Sequence, residues 1–158
     1  MKGRGIRWDR RVEVALVLAA AIAYGSWREF TFINLNYQID HLAHQTPFSY
    51  AHSMVQGWLR GWGLQAVLAL KWFLAFFSMA VMAALCAVLA RILLGTWRHA
   101  GPIFMAFTGF ALLSLALHFL ARQVPPFELV AVQLSHMLQY PVPLVFVLIA
   151  ASLAQGKD

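Results

Sequence analysis

Four long apolar stretches dominate the chain: Val12–Trp27, Val67–Ala90, Ile103–Ala121 and Leu129–Ala154. About 20 apolar residues in helical conformation cross a bilayer. The third stretch fits that length; the second and fourth exceed it and allow for tilt. The first is short unless it continues through Arg28 and Glu29 to Phe32. These segments predict an all-α fold: an integral membrane four-helix bundle, one membrane domain over residues 1–158. The expected crossings are 12–32, 67–90, 103–121 and 129–154, with an outer loop over 33–66.

Composition supports this. Hydrophobic residues are 61% of the chain and charged residues 11%, whereas soluble domains carry about a quarter charged. The net charge of +6 is concentrated at the start, in Lys2, Arg4, Arg7, Arg10 and Arg11, which suits an anionic leaflet. No basic patch on a soluble surface argues for nucleic acid. The lone Cys86 lies in an apolar run and reads as a small buried residue.

The Lys and Arg distribution sets the expected orientation. With the N-terminus inside, Lys2, Arg4, Arg7, Arg10, Arg11, Arg91, Arg98 and Lys157 are cytoplasmic; Arg28, Arg60, Lys71 and Arg122 are outside. Both termini are therefore expected in the cytoplasm of a bacterial inner membrane. A basic start, a short apolar run and Ala21-Ile22-Ala23 also resemble a signal peptide cleaved after residue 23. Asp9 and Glu13 at the flank of the run favour an uncleaved first helix.

The loop has a pattern of its own. Ala51, Met54, Val55, Trp58, Leu59 and Trp62 recur at helical spacing, predicting an amphipathic helix in the outer membrane interface. Ser49 is the expected N-cap, and Gly61 and Gly63 would turn the chain into the second crossing. Small residues four apart (Ala15, Ala19 and Ala23; Ala80 and Ala84; Ala83 and Ala87) are expected to let helices approach closely.

Ionisable groups inside a membrane are functional candidates. His118 lies about 6 Å, and His136 about 12 Å, below the outer ends of their helices. Gln133, His136 and Tyr140 share one face of the fourth segment, with Ser135 and Gln139 to either side, and Pro141 and Pro143 bend it. The functional reading is an outer-half pocket for a small ligand or cofactor; the plainer one is hydrogen bonding that fastens the bundle. A sharper form makes His118 and His136 axial ligands to haem. In the loop, Asp40, His41, His44 and His52 offer donors for a divalent metal, although His-x-x-His lacks the glutamate of the zinc-protease motif. Lys71 is expected to reach headgroups from the interface. Arg28-Glu29 either ends the first helix or folds inward as a polar pair.

A first helix ending in Arg28-Glu29-Phe30, a second opening with Leu70-Lys71-Trp72-Phe73-Leu74, and the run Leu138–Ile149 (LQYPVPLVFVLI) resemble, in order and spacing over most of the chain, small four-helix bacterial membrane proteins of the exosortase F system-associated family. The resemblance implies an accessory role beside a membrane processing enzyme and brings no catalytic residues with it. No nucleophile elbow, P-loop, Rossmann glycine run or kinase set occurs. The expectation is a non-enzymatic accessory or assembly subunit, with a membrane protein or a second copy as partner. The alternatives are a cofactor-binding protein using His118, Gln133, His136 and Tyr140, and a membrane enzyme with a metal at His41, His44 and His52.

Overall fold

A computed structural model describes residues 6–155. The basic residues Lys2 and Arg4, and Lys157, lie outside the described residues. Six α-helices and one 3-10 turn follow one another: α1 (Ile6–His44), α2 (Ser53–Trp58), α3 (Leu64–Leu94), the 3-10 turn Trp97–His99, α4 (Ala100–Leu120), α5 (Pro126–Gln139) and α6 (Val142–Gln155). Two helical stretches, Leu64–Leu94 and Trp97–Leu120, are long and apolar enough to cross a membrane. The pair Pro126–Gln139 and Val142–Ala154, bent by 63°, makes a third if it is one broken span. Helix α1 is not among them, because Glu13, Arg28 and Glu29 share the helix with its apolar run.

The expected loop over 33–66 is largely structured. No proline interrupts residues 6–44, so α1 does not end at Phe32 but runs for 39 residues to His44. There Gln45 adopts a left-handed conformation (φ 50°) and Thr46 N–H donates to the His41 carbonyl at 3.3 Å. This is a Schellman ending, in which one left-handed residue returns the chain to the last open carbonyls; Pro47 then blocks further helix. Only residues 45–63, here termed the strap, remain outside the two long helices.

Helix α3 ends by a related device. Gly95 (φ +73°) donates its N–H to the Arg91 carbonyl at 2.8 Å, a conformation glycine adopts without steric cost. The Thr96 hydroxyl then caps the 3-10 turn by accepting from Arg98 N–H at 3.2 Å, and the Arg91 guanidinium lies 4.5 Å over the Trp97 ring.

The chain forms two compact units. One is residues 24–78; the other takes the earlier part of α1 and residues 79–155. In the first unit the core is Leu35, Val55, Leu59 and Val67, flanked by Ile39, Leu42, Leu70 and Leu74. Tyr24 donates its hydroxyl proton to Ser78 Oγ at 3.0 Å. Leu35 and Val67 lie eleven residues further along α1 and back along α3, so these two helix segments run antiparallel and in step.

In the second unit α3 buries Met82, Ala83, Cys86, Ala87, Leu89 and Ala90. Of the expected small-residue faces, Ala83 with Ala87 is covered. Ala80, Ala84, Ala15, Ala19 and Ala23 are exposed, and α1 buries Val17 and Ala21 instead. Helices α4 and α5 form an antiparallel hairpin, joined by the bond from Ser114 Oγ to the Ala131 carbonyl at 2.8 Å.

The break between α5 and α6 follows from Pro141. A residue before proline is driven out of the helical region, and Tyr140 is extended (φ −97°, ψ 166°). The expected bend in the fourth segment is thus present, with Pro143 near the start of α6, where a missing N–H costs nothing.

Candidate functional site

Two polar groupings carry the residues singled out from the sequence. The first lies along the α4–α5 hairpin. Ser114 and His118 are one turn apart on α4, and Glu128 and Ala131 are one turn apart on α5. The antiparallel packing pairs them as Ser114–Ala131 and His118–Glu128. The His118 Nδ1 to Glu128 Oε2 distance is 2.7 Å, with the side chains 39% and 46% exposed. Glu128 stands in the first turn of α5, where its charge complements the helix dipole. His118 also meets Phe119 edge-on, and Arg122 covers the same ring at 5.4 Å.

The other residues of the expected pocket are placed differently. Gln133 and His136 are exposed. His136 lies eight residues beyond Glu128, about 12 Å along α5, and its ring meets Tyr140 at 6.2 Å. The buried polar residue of this helix is Gln139, whose Nε2 donates to Ser135 Oγ at 2.8 Å. The face of Gln133 and His136 therefore points outward, and the face of Ser135 and Gln139 points toward protein.

The second grouping lies at the end of α1 and in the strap. Asp40 and His44, one turn apart, form a 3.0 Å pair on an exposed surface. His41 Nδ1 is 2.9 Å from Thr46 Oγ1. His52, not Ser49, caps α2: its Nδ1 accepts from Met54 N–H at 3.3 Å, while Ser49 Oγ accepts from Ala51 N–H at 3.2 Å. The three imidazoles thus serve three local bonds. Among the described residues no group of three His, Cys, Asp or Glu side chains is arranged to hold a metal ion.

The interfacial helix expected over 51–62 is shorter, Ser53–Trp58, and its apolar face is divided. Ala51, Val55 and Leu59 turn inward to the core; Met54, Trp58 and Trp62 turn outward. Gly61 (φ +81°) makes the expected turn into α3.

Arg28 and Asn34 are buried polar residues of α1. Arg28 is 2% exposed, 3.2 Å from Glu29 Oε2 and 4.4 Å over the Phe32 ring, so Arg28 folds inward, with Glu29 half exposed beside it, while the helix continues. Asn34 is buried, with Nδ2 donating to the Phe30 carbonyl at 2.7 Å and Oδ1 accepting from the backbone N–H of His52. A signal for Arg28 was available: Ala21, Arg28 and Leu35 recur every seven residues, marking the covered stripe of α1. Comparison with family models, with curated proteins and with solved structures finds no match to this chain.

Proposed function

We propose that this chain is a non-enzymatic accessory or assembly subunit of a bacterial inner-membrane complex, crossing four times with both termini in the cytoplasm. Its α1 would be the first crossing, between Arg11 and Arg28, seventeen residues and about 26 Å apart. The resemblance in order and spacing to exosortase F system-associated proteins points to a processing enzyme of the membrane as the partner class.

The observation that carries this reading is the outward placement of Gln133 on α5. Lipid tails cannot satisfy a carboxamide, whereas a neighbouring helix can. Helix α4 supplies the adjoining surface: 11% of its most apolar stretch is buried, against 50% for α3.

The test is a photo-crosslinking side chain at Val132 or Gln133 in the full-length protein in its own membrane, with Phe76 on α3 as a reference position. A discrete crosslinked protein from the α5 positions is the expected result. Only uncrosslinked chain, together with a lone monomer in mild detergent, would overturn it.

The His118–Glu128 bond favours a second reading, a small-ligand or cofactor site, because a carboxylate that holds one imidazole nitrogen orients the other. Under that reading His118→Leu and His136→Leu abolish ligand or haem binding and leave expression intact. Equal loss of stability without loss of any bound group assigns the pair to fastening the hairpin.

A further inference from the structure

Helix α3 is longer than a hydrocarbon layer is thick. Its 31 residues rise about 46 Å, against about 30 Å of hydrocarbon. Two cations mark its apolar part: Lys71 and Arg91 are twenty residues, or about 30 Å, apart, with no charged residue between them. The turns before Lys71 therefore project past the hydrocarbon by up to about 10 Å, the depth of a headgroup layer. Trp72 is exposed beside Lys71, at the level where indole rings gather in membranes.

Packing within residues 24–78 carries that level to the strap. Val55 and Leu59 share their core with Val67, four residues and about 6 Å beyond Lys71. The His52 ring meets Phe30, two residues past Arg28, at 5.7 Å. The strap thus folds back alongside the projecting turns of α3 and lies in the layer that headgroups occupy.

What it presents there is specific. Tyr50 and Trp58 are each 71% exposed, and Met54 and Trp62 are exposed beside them. Arg60 is exposed as well, and no Asp or Glu occurs between Asp40 and Glu128. Rings with an apolar body and a polar tip suit the boundary between acyl chains and headgroups. A guanidinium with no carboxylate in its segment matches phosphate, which it can bind through two parallel N–H donors.

We propose that the strap, residues 45–63, is a docking surface for anionic phospholipid. Tyr50, Met54, Trp58 and Trp62 insert into the headgroup layer, and Arg60 binds phosphate. This rests on α3 crossing the membrane and is independent of the partner on α5.

The test uses the full-length protein with Cys86→Ala and a spin label at Trp58→Cys or, in a second variant, at Tyr50→Cys. Each is reconstituted in vesicles of phosphatidylcholine with or without phosphatidylglycerol. Oxygen and nickel-complex accessibilities, calibrated with labelled lipids, should place both labels at the phosphate-to-glycerol level. A label fully open to nickel puts the strap in water and overturns the proposal. One shielded from both reagents puts protein over it, a second copy or a partner, and overturns it equally. Tryptophan quenching by brominated lipids should show a preference for phosphatidylglycerol that Arg60→Gln reduces roughly five-fold, the effect of one basic residue near an anionic surface. An unchanged preference would remove Arg60 from the site.

Discussion

Asn34 and His52 are joined side chain to backbone: the Asn34 carboxamide oxygen accepts the His52 N–H, eighteen residues away in sequence. The bond is part-buried and ties the strap to α1 at the residue that also caps α2. One carboxamide therefore supports both the docking of the strap and the start of its helix.

Asn34→Ala should destabilise the protein by about 1–3 kcal/mol, because a covered N–H loses its acceptor. Asn34→Asp keeps an oxygen at that place and should cost less. Amide hydrogen exchange over residues 49–56 in detergent checks this: protection should fall in the alanine variant first, while α4 is unchanged.

The division of the strap's apolar face predicts unequal responses to truncation. Leu59→Ala removes a buried core side chain and should cost about 2–5 kcal/mol. Trp58→Ala removes a larger but exposed one and should leave detergent stability within about 0.5 kcal/mol. Thermal unfolding of the two variants side by side is the measurement, and equal losses would contradict the packing.

Two glycines of the strap should respond with opposite sign. Gly61 has φ +81° with open space around it, so Gly61→Ala is strained by its backbone and should cost about 1–2 kcal/mol. Gly57 lies within α2, again with nothing near an added Cβ. Gly57→Ala should therefore stabilise by up to about 1 kcal/mol.

The α4–α5 hairpin should tolerate loss of charge better than loss of its covered bond. Glu128→Gln retains an oxygen facing His118, and a half-exposed polar pair of this kind contributes about 0–1 kcal/mol in water. Ser114→Ala removes a buried hydroxyl that bonds the neighbouring helix, worth about 0.6–2 kcal/mol within a bilayer. Reversible unfolding in mixed micelles compares them; a larger loss for Glu128→Gln would make the His118 pair the stronger link.

Pro141→Ala should straighten the α5–α6 junction by freeing Tyr140 to adopt helical angles. Spin labels at Val130 and Ala150, ten residues on either side of Tyr140, should then move apart by about 4 Å as a 63° bend opens. A distance that stays the same would mean that packing of α6, and not the proline, holds the bend.

Apolar length and proline placement were enough to read the helical class, the α3 and α4 stretches and the bend at Pro141. Each is a local consequence of residue type: an unbroken apolar run favours helix in lipid, and proline removes a donor and restricts its neighbour. The extension of α1 to His44 was harder to see. Residues 33–44 are polar enough to resemble a loop, and the helix there is sustained by burial of Leu35 and by the ending at Gln45.

The sequence by itself determined which segments are helical and apolar, because backbone geometry and hydrophobicity act residue by residue. Only the tertiary structure decided that Val55 and Leu59 face the core while Trp58 faces outward, that His118 meets Glu128, and that Gln133 and His136 point away from the protein. Helical periodicity shows that residues share a stripe; it does not say which neighbour covers it, since that depends on helices distant in sequence packing at one register.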